Sequence, residues 1–132
     1  MNNIHQVKAY FGDTDAAGIV FYPNFYKWMD QATTELVGKN ILPTPVLFKE
    51  KHILLPLIET FCKYYSPIYF EDVVDIYSEI TKITDRTIRV EHVFKREGEI
   101  VAKGYEVKAW TKKKEDGIKS ESIPDKIKQL IK

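Results

Sequence analysis

The sequence predicts an α+β fold in which one long helix packs on a five-stranded antiparallel sheet. Apolar residues recur at helical spacing between positions 25 and 36, and four later segments alternate with a period of two. The connections between the last three of these segments are short enough for hairpins. The length of 132 residues fits a single domain spanning positions 1–132.

The first elements are a strand at residues 4–11 and a turn-rich segment at 12–18, which holds two glycines, two aspartates and a threonine. A helix follows, with Pro23 suited to its first turn and Gly38 placed to end it. Its large aromatic stripe indicates that it lies on the sheet. The stripe consists of Phe25, Trp28, Met29, Ala32 and Leu36.

The rest of the chain is rich in predicted strands, at residues 57–65, 73–83, 87–96 and 100–111. The connection at 39–53 is expected to hold one helical turn, and Pro67 fits a break between strands. The charged run at 112–117 is interpreted as a hairpin tip. The C-terminal residues from 122 onward form a short helix or fray.

Composition limits the classes of function. Twenty basic and 19 acidic residues give a net charge of +1, so no general attraction to nucleic acid or an anionic membrane is expected. The single cysteine, Cys62, excludes an intrachain disulfide and is expected to be buried. No apolar run approaches the length of a membrane-spanning helix, and the N-terminus lacks the apolar core of a secretion signal. We therefore expect a cytoplasmic protein without a membrane span.

Two carboxylates, Asp13 and Asp15, precede the long helix by a few residues. The first amides of a helix lack internal partners and can stabilise an oxyanion. A nearby carboxylate can attack a carbonyl carbon or activate water. This pairing is suited to acyl transfer. The alternative is that both acids are turn or capping residues, a role that fits Asp13 better than Asp15.

The stretch GDTDAAGIVFYPNFYKWMD resembles the signature of the hotdog-fold acyl-CoA thioesterases, in particular the 4-hydroxybenzoyl-CoA thioesterase family. The Tyr-Pro-Asn step is less similar to the Tol-Pal-associated branch. The resemblance is specific in this motif and weaker through the strands up to residue 111. The residues that match in register are Asp15, Gly18, Val20, Tyr22, Asn24, Phe25 and Trp28.

The resemblance implies a hydrolase that converts an aromatic or a short- or medium-chain acyl-CoA to the free acid and coenzyme A. Asp15 would be the nucleophile or general base, and the amide of Tyr22 would polarise the carbonyl. Gly18, Ile19 and Val20 would lie along the thioester. No metal ion and no cofactor would be needed, because coenzyme A is part of the substrate.

The resemblance further implies a homodimer or homotetramer with its active site at a dimer interface, which agrees with an excess of aromatic residues over what one helix covers. Asn24 matches the motif and is taken as a further substrate contact. Asp30 is a candidate for binding a polar acyl group, and Arg86 for binding a coenzyme A phosphate.

Several alternatives remain open on the sequence. The acid could instead be Glu35 on the helix or Glu59 on a strand, although the match of Asp15 disfavours both. The chain could bind thioesters of coenzyme A or an acyl carrier protein without hydrolysing them. A dehydratase or isomerase on the same scaffold is a third possibility. His92, on the apolar face of its strand, is interpreted as a packed histidine rather than a base.

Overall fold

The computed structural model describes residues 2–131 and confirms the predicted fold class. Its helices are α1 (Pro23–Asn40), α2 (Thr44–Lys49) and α3 (Asp125–Lys128). Its strands are β1 (Asn2–Lys8), β2 (Ile53–Leu54), β3 (Leu57–Tyr64), β4 (Val73–Ile83), β5 (Thr87–Arg96), β6 (Glu99–Ala109), β7 (Thr111–Lys114) and β8 (Gly117–Ser120).

The main sheet is antiparallel and has the strand order β1-β4-β5-β6-β3, so β1 and β3 are its edges. The predicted hairpins β4–β5 and β5–β6 are both present. Helix α1 lies across this sheet, and the stripe predicted from the sequence is buried. The buried residues of α1 are Phe25, Trp28, Met29, Ala32, Thr33, Leu36 and Val37.

Gly104 on β6 allows close contact between the helix and the sheet. A Cβ atom at this position would lie 2.5 Å from the carbonyl oxygen of Phe61 and 2.7 Å from Sδ of Met29. Both separations are far below van der Waals contact, so only glycine leaves room for the Met29 side chain. Cys62, next to Phe61 on β3, is buried as predicted.

Three predicted boundaries are wrong. The strand predicted at 100–111 ends at Ala109, because the chain leaves the main sheet there and Thr111 begins β7 of the smaller sheet. β1 ends at Lys8 rather than near residue 11, because the Asp13 carboxylate accepts a hydrogen bond from the Tyr10 amide at 2.9 Å and closes a 3₁₀ turn over Phe11–Asp13. Gly38 does not end α1, which continues to Asn40. Gly38 does not have the left-handed φ of a helix-ending glycine, and the Ile41 amide still donates to the Val37 carbonyl at 2.8 Å.

The segments outside the main sheet pack at the C-terminal end of α1. The predicted connection contains α2 and β2, and β2 pairs with β7 in a three-stranded sheet, β2-β7-β8, that the sequence did not predict. The charged run forms the β7–β8 hairpin, and its first three residues belong to β7. The tail forms the short helix α3.

A search of residues 2–131 for a helix with the length and apolar character needed to cross a membrane found none.

Candidate active site

The chain between β1 and α1 folds into a small hairpin that carries Asp15. Thr14 and Val20 face each other in an antiparallel bridge, and the amide of Asp15 donates to the Ile19 carbonyl at 2.9 Å. The reversal uses Gly18, whose φ of 79° lies in the left-handed region that favours glycine. The tight turn therefore returns the chain from Asp15 toward the start of α1 within a few residues.

Two hydrogen bonds fix this hairpin to its surroundings. The amide of Val20 donates to the carbonyl of Ile68 at 2.8 Å, and the Asn24 side chain donates to the carbonyl of Asp13 at 2.8 Å. The first bond attaches the hairpin to the segment after β3, and the second attaches it to the first turn of α1. The position of Asp15 is thus set by contacts on both sides.

A groove of about 460 Å³ lies between the hairpin, the start of α1 and the end of β3. It contains four of the predicted site residues, namely Asp15, Ile19, Val20 and Tyr22. The other walls are largely aromatic and apolar. They are formed by Phe25, Tyr64, Tyr65, Ser66, Pro67 and Ile68.

The Asp15 side chain is exposed and one of its oxygens is held. Oδ1 accepts a hydrogen bond from the amide of Ala17 at 2.8 Å, as is common for aspartate in turns. This bond orients the carboxylate and leaves Oδ2 as the oxygen that can act on a ligand. Asp15 therefore places a fixed carboxylate at the wall of the groove.

The amide of Tyr22 is the free donor at the start of α1. The next residue, Pro23, has no amide hydrogen, and the amides of Asn24 and Phe25 donate to the carbonyls of Phe21 and Tyr22 at 3.0 and 3.1 Å. Within residues 2–131, the Tyr22 amide donates to no acceptor. At the start of α1, the amide of Tyr22 is therefore the one free for a ligand, and Tyr22 lines the groove.

Tyr64 lines one side of the same groove. Its ring packs edge-on against that of Phe25, with 4.7 Å between the ring centroids. Burial, followed by its hydrogen bond with Tyr26, raises the pKa of the Tyr64 hydroxyl above its usual value. The phenol is therefore neutral at physiological pH, and it adds no negative charge to the groove that holds Asp15.

The remaining predicted contacts lie outside the groove. Gly18 forms the turn and Asn24 holds the hairpin, so both support the site without forming its wall. Arg86 lies in the β4–β5 turn, where it donates to the carbonyl and hydroxyl of Ser120 at 3.2 and 2.9 Å. Since β4 has 11 residues and begins near the groove, Arg86 is about 30 Å away from it.

Asp30 lines a different pocket, of about 280 Å³, between α1, α2 and β2. Its carboxylate lies 3.4 Å from the ammonium of Lys108, whose side chain is only 11% exposed. Thr33 lines the same pocket. Its hydroxyl donates to the buried carboxylate of Glu106. A buried ammonium with one long ion pair is an unusual feature of a pocket wall.

Glu106 and Lys108 were not among the site residues predicted from the sequence. They were detectable in principle, because a period of two on β6 places both on the helix-facing side with Gly104 and Trp110. Burial alone would raise the pKa of Glu106, but hydrogen bonds from His92 and Thr33 and the charge of Lys108 lower it below its usual value. Glu106 is therefore ionised in the interior.

Ser78, His92 and Glu106 have the arrangement of a Ser-His-acid triad. Ser78 Oγ lies 2.6 Å from Nδ1 of His92, and Nε2 of His92 lies 3.2 Å from Glu106 Oε1. All three residues are at most 2% exposed, so no substrate can reach the serine. The arrangement is a buried hydrogen-bond cluster, and the interpretation of His92 as a packed histidine agrees with it.

The two alternative acids have other partners. Glu35 accepts hydrogen bonds from Asn3 and His5 at 3.0 and 2.8 Å, and mainly the Asn3 bond lowers its pKa. Glu59 accepts a hydrogen bond from the Tyr105 hydroxyl on the sheet. Neither carboxylate lines the groove that contains Asp15.

Comparison with known proteins gives a consistent result. The profile of the thioesterase-like superfamily matches residues 10–131. A 1,4-dihydroxy-2-naphthoyl-CoA hydrolase from Prochlorococcus marinus (strain NATL2A) is 30% identical over 96 residues, or 67% of this chain and 62% of that protein. The match thus spans less than two thirds of that relative.

Two solved structures are similar over nearly the whole chain. A gentisyl-coenzyme A thioesterase has a TM-score of 0.86 and 37% identity, and the alignment covers 95% of this chain and 98% of that one. The 4-hydroxybenzoyl CoA thioesterase from Pseudomonas sp. strain CBS-3 has a TM-score of 0.89 at 24% identity, covering 98% of each chain. The second similarity concerns the fold. The predicted enzyme class, a thioester hydrolase, is that of these relatives.

Proposed function

Because this chain belongs to the thioesterase-like superfamily, we propose that it hydrolyses an aromatic acyl-coenzyme A to the free acid and coenzyme A. The observation that carries the proposal is the groove lined by Asp15 and by Tyr22, the residue whose amide is free at the start of α1. A thioester carbonyl placed between them would have an acid on its carbon side and a hydrogen-bond donor on its oxygen.

In the proposed reaction Asp15 supplies the attack. As a general base it takes a proton from water, and the resulting hydroxide bonds to the carbonyl carbon. The carbon–sulfur bond then breaks, the acid is released and the proton goes to the leaving thiolate. As a nucleophile, Asp15 would form a mixed anhydride that water hydrolyses. A single turnover in ¹⁸O-water can reveal the anhydride route, because label enters the Asp15 side chain only when water attacks the Asp15 carbonyl of the anhydride.

The amide of Tyr22 is proposed to stabilise the oxyanion that forms during attack. It lies at the start of the 18-residue helix α1, where the helix dipole adds partial positive charge. One such donor typically contributes a factor of about 10²–10³ to the rate. The hairpin bond of Asn24 to Asp13 holds the donor and the acid in register.

The acyl group is proposed to be aromatic and hydroxylated. The supporting observations are the aromatic groove walls and the three thioesterases or hydrolases above, which act on gentisyl, dihydroxynaphthoyl and hydroxybenzoyl thioesters by their names. Asp30 and Lys108 would bind a ring hydroxyl. They do not line the groove of their own chain, because Asp30 lies about two helical turns along α1 from Tyr22 and Lys108 pairs with Leu57, at the opposite end of β3 from Tyr64.

A dimer would remove this separation. β3 is an edge strand with exposed apolar side chains, including Leu57, Ile58 and Phe61. If two copies pair through β3 in antiparallel fashion, the Leu57 end of one meets the Tyr64 end of the other. The pocket with Asp30 and Lys108 would then complete the partner's groove. Light scattering at micromolar concentration should give a dimer or tetramer, and a monomer alone would contradict this arrangement.

The test of function is Asp15→Asn, assayed by thiol release from benzoyl- and hydroxybenzoyl-CoA. Asparagine retains an oxygen that can accept the Ala17 amide, so the hairpin should persist. We expect turnover to fall by a factor of about 10²–10⁴ while the thermal unfolding temperature stays unchanged. Asp13→Asn, which alters the neighbouring cap, is the matched control and should keep most activity. Near-normal turnover by Asp15→Asn would refute the assignment.

A thioester-binding protein without hydrolase activity is the alternative, and the same assay separates it. Binding of acyl-CoA without thiol release by the wild type would favour that function.

A further inference from the structure

A second cavity, of about 430 Å³, lies at the C-terminal end of α1. It is about 27 Å from the groove, since α1 has 18 residues. Its walls come from α2, from the small sheet and from α3. The apolar side chains that enclose it include Leu42, Val46, Leu47, Trp110, Ile127 and Leu130.

The polar groups of this cavity are mainly cationic. Lys51 and Lys126 both line it, and none of the acidic side chains among the described residues does. Neither lysine forms an ion pair within residues 2–131, whereas Lys128, two residues further along α3, pairs with Asp85 at 2.5 Å. The cavity therefore combines an apolar interior with uncompensated positive charge.

The wall formed by the C-terminal segment is held by contacts with Asp85. The Ile123 amide donates to the Asp85 carbonyl at 2.7 Å, and the Ser122 hydroxyl donates to the Asp85 carboxylate at 2.9 Å. Ile123 is buried, whereas Leu130 near the other end of the segment is 42% exposed. Asp85 thus holds the segment from Ser122 to Lys128, and Leu130 lies exposed beyond it.

We propose that this cavity is a binding site for a medium-chain fatty acid, or another amphipathic monocarboxylate of that shape. Lys51, Lys126 and Leu130 are exposed, so the space opens to solvent on the side of these residues. Its volume and its apolar lining with few polar groups are those of small-molecule sites. The alkyl tail lies against Trp110, and the carboxylate binds Lys51 and Lys126. The two ammonium groups supply the positive charge that balances the carboxylate.

The test uses the full-length chain and the fluorescent fatty acid 11-(dansylamino)undecanoate. Excitation of tryptophan should give saturable energy transfer to the dansyl group, with one site per chain. Dodecanoate should displace the probe and dodecanol should do so more weakly, because it has no charge. The double variant Lys51→Gln/Lys126→Gln should weaken binding at least tenfold, while Lys49→Gln, an exposed neighbour outside the cavity, should bind as the wild type does.

The proposal is independent of thioester hydrolysis. It is overturned if the double lysine variant binds the probe normally, if no saturable transfer occurs, or if coenzyme A displaces the probe and so places it in the groove. Leu42→Trp, which fills the cavity, should abolish binding. If that variant is unstable, the lysine variants still decide the outcome, since they change only exposed side chains.

Discussion

Replacing glycine by alanine should have opposite effects at two positions that differ in their surroundings. At Gly104, the added Cβ would lie 2.5 Å from the Phe61 carbonyl oxygen and 2.7 Å from the Met29 sulfur. Met29 is flexible and can move, but Phe61 contributes backbone, so β3 must shift. At Gly38, inside α1, the nearest atom to an added Cβ is Cα of Pro43 at 3.8 Å, an ordinary contact.

The magnitudes follow from these distances. Overpacking of a core costs about 1–3 kcal/mol, so Gly104→Ala should lower the free energy of unfolding by about 2 kcal/mol. With an unfolding entropy of about 2.1 cal/mol/K per residue, the melting temperature of this chain should fall by roughly 7 °C. Gly38→Ala should instead stabilise α1 by about 0.5–1 kcal/mol.

Urea unfolding followed by circular dichroism measures both variants under one condition. Because β3 also borders the groove, Gly104→Ala should reduce thioesterase turnover, and Gly38→Ala should not. If Gly104→Ala unfolds at the same urea concentration as the wild type, α1 does not contact β6 as closely as described.

Two further predictions concern the polar residues beneath α1. Lys108→Met should lower kcat/KM for ring-hydroxylated acyl-CoAs about ten- to hundredfold and leave benzoyl-CoA nearly unchanged, since a hydrogen bond to a charged group contributes about 1.5–3 kcal/mol. Lys103→Met, an exposed change on the same strand, is its control, and equal losses on both substrates would contradict a role in specificity. Thr33→Val should lower the free energy of unfolding by about 1–3 kcal/mol at neutral pH, because it removes a hydrogen-bond donor from Glu106. Because the folded pKa of Glu106 is lowered from 4.5, its ionised form stabilises the protein above that pH and this contribution disappears as pH falls through the lowered value, so the deficit of the variant should shrink in acid. A deficit independent of pH would show that the Thr33 hydroxyl does not support the Glu106 charge.

The local elements were accessible from the sequence because they depend on short-range patterns. The spacing of Phe25, Trp28, Met29 and Leu36 predicts the buried face of α1, and alternation predicts the long strands. The motif around Asp15 predicted the family. Five of its residues line one groove in the structure, namely Asp15, Ile19, Val20, Tyr22 and Phe25. The misplaced helix end at Gly38 and strand end at Phe11 depend on backbone angles and local hydrogen bonds, which composition does not reveal.

The tertiary structure decided which polar groups face the interior and which segments meet. Glu106 and Lys108 are ordinary charged residues in the sequence, and only the packing of α1 on β6 buries them beside Thr33 and Asp30. The cavity beneath α3 likewise exists only because the C-terminal segment returns to the end of α1. Local periodicity fixes which face of an element is apolar, whereas burial of a charge or enclosure of a space depends on partners far apart in the chain.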